Sequence, residues 1–83
     1  MKITVRYFAS IREAAGTSSE VLQTQSTTLA QLRDELIQRP GATGAALVRG
    51  RAVRLALNQV MSDESAMLAE GCEVAFFPPV TGG

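Results

Sequence analysis

The stretch Thr28-Leu29-Ala30-Gln31-Leu32-Arg33-Asp34-Glu35-Leu36-Ile37-Gln38-Arg39-Pro40-Gly41 decides the fold class. Its start has the form of a capping box, because the Thr28 hydroxyl can accept from the backbone N–H three residues on while the Gln31 side chain returns the bond. One helical face collects the apolar residues Leu29, Leu32, Leu36 and Ile37. Pro40-Gly41 ends the pattern. The stretch therefore predicts an amphipathic helix that buries one face.

Strand-like alternation flanks this helix on both sides. Before it, Lys2 to Phe8 alternates between apolar and polar residues, and a weaker strand lies around Glu20 to Thr24. After it, alternation recurs from Val53 to Asn58 and from Glu73 to Phe77, and Val60-Met61 forms a short extension beyond a turn. This order predicts an α+β fold in which one main helix packs across one face of a sheet.

Two connecting segments have weaker signals. Residues 9–16 suggest one short helical turn that ends at Gly16, where a helix prefers a residue tolerant of positive φ. Residues 41–50 are rich in Gly and Ala and are interpreted as a loop with a short helix at Ala45 to Val48. The run Gly41-Ala42-Thr43-Gly44 lacks the Gly-Lys-Ser/Thr ending of a phosphate loop, and its neutral middle residues do not suit a clamp on nucleic acid.

Composition limits the chemistry that the chain can perform. Among 83 residues, eight basic and eight acidic side chains give a formal net charge of zero. There is no basic excess that would hold nucleic acid or an anionic membrane. Without His and with one Cys, Cys72, the chain lacks imidazole bases, Cys–His couples and a zinc cage. The N-terminus lacks a long apolar run, so we expect a cytoplasmic domain. The composition also indicates that the chain is not a self-sufficient enzyme.

The C-terminus is the most pointed chemical feature. After the strand ending at Phe77, Pro78-Pro79 must stop ladder pairing, and Val80-Thr81-Gly82-Gly83 follows. We therefore expect a folded domain over residues 1–77 and a flexible tail over 78–83 that can extend roughly 20 Å. Unless it is merely a frayed end, the Gly83 carboxylate can be activated as an acyl-adenylate and then attacked by a nucleophile, because glycine leaves the carbonyl open. ATP binding and the attacking group are expected on partners.

Two aromatic residues lie in the polar phase of their strands. Phe8 and Phe77 each end a strand, and if the first and last strands are parallel neighbours, both rings emerge beside the tail on the face away from the helix. Such a patch indicates a docking surface, which Met61 could join. The alternative is that a β-bulge or a second small core buries one ring.

Several charged residues have more than one interpretation. The arginines Arg49, Arg51 and Arg54 form a small cluster that suits an acidic partner, a phosphate or a solvated loop. The adjacent pairs Asp34-Glu35 and Asp63-Glu64 are interpreted as solvated surface, because neighbouring side chains diverge on regular elements. The lone thiol of Cys72 is interpreted as inert.

The run Gly71-Cys72-Glu73-Val74-Ala75-Phe76-Phe77-Pro78-Pro79-Val80-Thr81-Gly82-Gly83 closely resembles the C-terminus of the MoaD family, the small sulfur-carrying subunits of molybdopterin synthase. Tyr7-Phe8-Ala9-Ser10-Ile11-Arg12-Glu13 and Leu57-Asn58-Gln59 resemble the same family, so the likeness spans nearly the whole chain. Cys72 departs from the Asp usual before that Glu. The resemblance implies a ubiquitin-like β-grasp fold with a mixed sheet.

The resemblance also implies a reaction cycle. An adenylyltransferase of the MoeB family uses ATP to adenylate Gly83, and a sulfur donor protein converts the acyl-adenylate to a thiocarboxylate. The tail then enters the large subunit, of the MoaE family, where sulfur passes to cyclic pyranopterin monophosphate. In that family the patch matching Phe8, Met61 and Phe77 docks both partners, and two small subunits flank a dimer of large ones. No cofactor is expected on the carrier itself.

Two other functions fit the same C-terminus. A carrier could deliver sulfur for thiamine or tRNA thiolation, although the Phe-Phe-Pro-Pro-Val run favours molybdopterin. A ubiquitin-like modifier uses the same adenylated glycine and differs in its nucleophile, a lysine amine. The residues of the tail do not distinguish an amine acceptor from a sulfur acceptor.

Overall fold

The computed structural model describes residues 1–79, which form five strands and three helices. In chain order these are β1 (Lys2–Tyr7), α1 (Ala9–Ala15), β2 (Ser19–Gln23), α2 (Leu29–Ile37), α3 (Ala42–Leu47), β3 (Arg54–Leu57), β4 (Val60–Ser62) and β5 (Glu73–Phe77). Within these residues no helix has the length and apolar character needed to cross a membrane.

The strands form one mixed sheet in the order β2-β1-β5-β3-β4. The neighbouring strands β1 and β5 are parallel, and the register places Val5 opposite Val74 and Tyr7 opposite Phe76. All other pairs are antiparallel. The parallel pairing of the first and last strands confirms the arrangement on which the aromatic-pair prediction depended, and it places β5 in the middle of the sheet.

One face of the sheet carries the core. Inward-facing strand residues pack against the apolar faces of all three helices, and these core residues include Ile3, Val5, Tyr7, Ile11, Leu29, Leu32, Leu36, Leu47, Leu55, Val74 and Phe76. The predicted helix α2 supplies three of them through its periodic leucines. Cys72 is also buried in this core. The α+β prediction is confirmed, and the opposite face of the sheet is left without a helical layer.

The N-terminal cap of α2 differs in one detail from the predicted capping box. The Thr28 hydroxyl accepts from the backbone N–H of Gln31 at 3.2 Å, as expected. The Gln31 side chain does not return the bond to Thr28; its Oε1 accepts from the backbone N–H of Thr27 at 2.8 Å and from the Thr27 hydroxyl at 2.9 Å. Only the returning bond is therefore displaced by one residue, and it still satisfies a backbone donor before the helix.

Residues 41–50 contain the predicted short helix, but its bounds were wrong, because α3 occupies Ala42–Leu47 and not Ala45 to Val48. Gly41 has a φ of 104°, which lets the chain turn directly from α2 into α3. Gly44 then packs against the end of α2, where an added Cβ would lie 2.6 Å from the Ile37 carbonyl oxygen and 2.9 Å from that of Arg39. The glycines that suggested a loop are thus the residues that permit a tight helix–helix corner.

Candidate functional site

The candidate site lies at the end of the sheet where β1 and β5 finish side by side. Phe8 follows β1, Phe77 ends β5, and their rings form an edge-to-face pair with centroids 6.1 Å apart and an interplanar angle of 89°. The Phe8 residue is 37% exposed, and Phe77 is half-buried. Neither ring enters the core cluster, so the alternative in which a bulge or second core buries one of them is wrong.

Local backbone geometry holds the Phe8 ring at this edge. The Phe8 N–H donates to the carbonyl oxygen of Phe76 at 3.1 Å, which extends the parallel ladder by one step. Ala9 then adopts a φ of 51°, a left-handed conformation that is uncommon for a residue with a Cβ, and the chain turns into α1. Phe8 is therefore fixed on the sheet while the following helix leaves it uncovered.

A flat floor of small residues separates the aromatic pair from Met61. The strand registers place Arg6, Ala75, Ala56 and Met61 in one row across the face opposite the helices. Ala75 is 5% and Ala56 6% exposed, whereas Met61 at the edge of the row is 53% exposed. The three predicted docking residues, Phe8, Met61 and Phe77, therefore share one face, with Met61 two strands from β5 and about 10 Å away from it across the sheet.

Arg6 borders the same surface. Its guanidinium carbon lies 5.1 Å from the centroid of the Phe8 ring, within the range of a cation–π contact. Arg6 also lies 3.9 Å from the Glu73 carboxylate, a long and partly solvated ion pair. The arginine is thus held over the ring and gives this side of the aromatic pair a positive charge.

The root of the tail, Pro78-Pro79, divides two depressions. On one side Phe8, Ala9 and Phe77 join the two prolines in a shallow apolar depression. On the other side a groove of about 510 Å³ runs between α1 and α3, where it is lined mainly by alanines and bounded by Arg51. The root therefore emerges between two concave surfaces, and the predicted tail residues Val80, Thr81, Gly82 and Gly83 lie outside the described residues.

The side chains around the root suit binding rather than catalysis. They are aromatic, aliphatic, proline or arginine, with Ser10 at the edge of the groove. Within residues 1–79, this surface holds no carboxylate or thiol that faces the root, and the one Cys is in the core. The arrangement can dock against another protein, because it exposes apolar and aromatic side chains together with arginines.

The predicted basic cluster does not act as one unit. Arg49 donates to the carboxylates of Asp34 and Glu64 and to the Ala30 carbonyl oxygen, and these contacts raise the pKa of its guanidinium above the ordinary value. Arg51 and Arg54 remain exposed beside the tail root.

Asp34 and Asp63 are exposed, as predicted, whereas the solvated-surface interpretation was wrong for Glu64 and Glu35, which are half-buried. Glu64 pairs with Arg33 and Arg49, and Glu35 accepts from the Thr24 and Ser26 hydroxyls.

Sequence reasoning found the aromatic pair but missed its surroundings. Nothing in the sequence indicated that Ala56 and Ala75 belong to the patch. Only the register of β5, β3 and β4 shows that they form its floor. Arg54 carried a detectable signal, since it lies in the same outward phase as Ala56 on a predicted strand. Arg51 carried none, because its place beside Pro78 and Pro79 depends on the path of the loop after α3.

Known proteins share both this sequence pattern and this fold. A profile of the ThiS family matches residues 5–83. The molybdopterin synthase sulfur carrier subunit of Escherichia coli is 37% identical over 81 residues, covering 98% of this chain and 99% of that protein. The protein of the same name from Haemophilus influenzae is 35% identical with the same coverage.

Solved structures agree with the sequence relatives. SAMP1 from Haloferax volcanii has a TM-score of 0.78 at 24% identity over 100% of both chains, which shows the fold. A chain in the protein–protein complex of subunits 1 and 2 of molybdopterin-converting factor from Helicobacter pylori has a TM-score of 0.68 at 26% identity, again over 100% of both chains. The fold is thus the ubiquitin-like β-grasp, as the resemblance implied. The chain belongs to the ThiS family, and its resemblance to the sulfur-carrying subunits of molybdopterin synthase is confirmed.

Proposed function

We propose that this protein is the sulfur carrier subunit of molybdopterin synthase. The observation that carries the proposal is that Pro78-Pro79 lies beside the Phe8–Phe77 pair at the end of β5, in a chain whose sequence continues to Gly82-Gly83. Relatives at 35–37% identity over nearly the full chain bear this name. A carrier needs a stable domain, a docking surface and a reactive terminus, and the residues supply these without any catalytic side chain at the root.

The chemistry takes place on the terminal carboxylate. A carboxylate oxygen of Gly83 attacks the α-phosphate of ATP on an adenylyltransferase of the MoeB kind, which forms the acyl-adenylate and releases pyrophosphate. The outer sulfur of a persulfide on a donor protein then attacks the acyl carbon and displaces AMP, which gives an acyl disulfide between carrier and donor. A thiol attacks the donor's sulfur, forms a disulfide with it and releases the thiocarboxylate on the carrier. Glycine at this position leaves the carbonyl accessible, because no Cβ shields it. ATP is therefore a substrate of the activating partner and not a cofactor of the carrier.

Sulfur transfer requires a second partner. The neighbour from Helicobacter pylori was solved as a complex of two subunits, and we propose that this chain likewise binds a large subunit, in a heterotetramer with two copies of each. Phe8, Met61 and Phe77 dock against the partner while Val80 to Gly83 enter its active site. There the thiocarboxylate sulfur is transferred to cyclic pyranopterin monophosphate. The cycle uses ATP, and the chain contains one Cys, which forms no disulfide within it. Both features suit the cytoplasm.

Intact-mass measurement after co-expression with the cognate adenylyltransferase and sulfur donor tests the proposal. The expected product is a carrier heavier by the exchange of one oxygen for sulfur, which produces molybdopterin when mixed with the large subunit and cyclic pyranopterin monophosphate. A variant lacking Gly83 should show no exchange, whereas Gly50→Ala, a change at an exposed internal glycine, should be thiocarboxylated normally.

Other results would overturn the proposal. Carrier found only as adducts on lysines of other proteins would identify a modifier instead. Thiocarboxylate that forms but supports thiazole or tRNA thiolation, and not molybdopterin, would assign the chain to another sulfur pathway.

A further inference from the structure

Half of the eight basic side chains form no ion pair within residues 1–79, although the protein has a formal net charge of zero. Arg6, Arg33, Arg39 and Arg49 each lie within ion-pair distance of a carboxylate. Within residues 1–79, no such pair involves the remaining four basic side chains, which are Lys2, Arg12, Arg51 and Arg54. Two of these four border the tail root, so the net charge of zero conceals a local positive charge there.

Arg54 lies on the aromatic side of the root. It is directly opposite Phe77 in the antiparallel ladder of β3 and β5, so both side chains leave the same face of the sheet. Arg54 is exposed, and Arg6, on the far side of Phe77 in the strand order, is held over the Phe8 ring. Two guanidinium groups therefore flank the exposed aromatic pair.

Arg51 lies on the other side of the root. It bounds the alanine-lined groove between α1 and α3 together with Pro78 and Pro79. Its main chain is anchored, because Arg33 donates to the Arg51 carbonyl oxygen at 3.0 Å, while its side chain is exposed. The backbone anchor fixes where this charge is presented even though the loop itself lies at the surface.

We propose that the partner surface that receives the tail is acidic and that Arg51 and Arg54 contact its carboxylates on opposite sides of Pro78-Pro79. This inference rests on the proposed function, and the partner that it concerns is the large subunit. The apolar depression on one side of the root contains the Phe8–Phe77 pair, and the groove on the other side shares only Pro78 and Pro79 with it. Unpaired cations at the rim of such apolar surfaces favour a negatively charged counterpart. A single phosphate would need donors that converge, whereas these two arginines lie on opposite sides of the root.

The arrangement has a consequence for association. Exposed charges at the rim of an apolar interface steer the encounter and set the orientation more than they add affinity. The Phe8–Phe77 pair would supply most of the binding energy, and the two arginines would direct the tail toward the entrance of the partner's active site. Their contribution should weaken with salt, because the Debye length falls from about 10 Å at 0.1 M to about 3 Å at 1 M.

Binding of the purified full-length carrier to its cognate large subunit, measured at low and high salt, tests the inference. Arg51→Gln and Arg54→Gln should each weaken binding about two- to fivefold at low salt, with slower association, since exposed ion pairs contribute about 0.2–1 kcal/mol. The difference from wild type should vanish near 1 M salt. Lys2→Gln is the matched control, because it removes one exposed, unpaired charge at the opposite end of β1 and should bind like wild type.

Two comparisons separate the possible results. Phe77→Ala should weaken binding at both salt concentrations. If Phe77→Ala weakens binding but the arginine variants behave like Lys2→Gln, the acidic-partner inference is wrong while the proposed function stands. The same holds if all three charge variants weaken binding equally, since this would reflect net charge alone. If wild type does not bind the large subunit at all, both the proposed function and this inference fail.

Discussion

Gly44 is the residue at which the close packing of two helices depends on the absence of a side chain. A Cβ at this position would meet two backbone carbonyl oxygens of the α2 terminus, at 2.6 Å and 2.9 Å, and backbone cannot yield as a side-chain tip can. We predict that Gly44→Ala lowers the free energy of unfolding by about 1 to 3 kcal/mol, the usual cost of overpacking. Urea denaturation of purified protein measures the change.

The matched control for this substitution is Gly50→Ala. An added Cβ at Gly50 meets nothing within 4 Å, and the φ of Gly50 is not in the left-handed region. Its free energy of unfolding should stay within about 0.5 kcal/mol of wild type. Equal stability of the two variants would contradict the packing argument and would mean that α3 shifts away from α2 at little cost.

At the same scale, the aromatic pair and the arginines show what sequence can and cannot predict. Phe8 and Phe77 occupy positions that are otherwise polar in their alternating strands, and this alternation alone predicted that both lie on the outer face of the sheet. Arg49, Arg51 and Arg54 are close in sequence but have different surroundings, because the contacts of Arg49 lie 15 or more residues away. Local pattern predicts which face a strand residue occupies, but not which distant carboxylate a loop arginine reaches.

At the scale of elements, Arg33 of α2 holds the segment between α3 and β3 in place. It is 4% exposed, and its guanidinium donates to the carbonyl oxygens of Leu47, Val48 and Arg51 at 2.7 to 3.0 Å. The Glu64 carboxylate lies 3.4 Å from the same group. This buried cation therefore links α2 to the end of α3, to the loop before β3 and, through Glu64, to the segment after β4.

We predict that Arg33→Met lowers the free energy of unfolding by about 2 to 4 kcal/mol, because a side chain of similar length leaves one buried and two partly buried carbonyl groups without their donor. Arg39→Met is the control: its ion pair with Glu20 is partly exposed, and its loss should cost about 1 kcal/mol or less. Thermal denaturation monitored by circular dichroism makes the comparison. If Arg33→Met were as stable as Arg39→Met, the prediction would be wrong, and the freed carbonyl groups would be hydrogen-bonded to water instead.

The prediction of elements failed where a tertiary contact overrode local preference. The strands and α2 followed from hydrophobic period, because each buries one face against the same core. Helix α3 was predicted only in part, at Ala45 to Val48, because its sequence, Ala-Thr-Gly-Ala-Ala-Leu, has little amphipathic pattern and two nearby glycines that usually indicate a loop. It forms because Leu47 enters the core and Gly44 allows close contact with α2. Both are tertiary contacts, which the six-residue sequence of α3 does not reveal.

For the molecule as a whole, the phenol proton of Tyr7 makes the free energy of unfolding depend on pH in the alkaline range. The Tyr7 ring packs against Phe76 with centroids 6.3 Å apart, and its hydroxyl donates to Glu20 at 2.8 Å. Glu20 in turn accepts from Arg39, just beyond α2, at 3.0 Å. Burial raises the pKa of Tyr7 well above its ordinary value of 10.0, and the hydrogen bond to Glu20 raises it further.

The sign of the pH dependence follows from these shifts. Because the folded state holds the phenol proton more tightly than the unfolded chain, the stabilisation is complete below about pH 10 and is lost as pH rises above it, by up to about 1.4 kcal/mol per pH unit. We predict a falling urea midpoint between about pH 9.5 and 11.5. The chain has one Tyr, so Tyr7→Phe should retain the ring stacking and abolish this slope. A wild-type midpoint that falls no more steeply than that of Tyr7→Phe would mean that the phenolate is tolerated at the edge of the core.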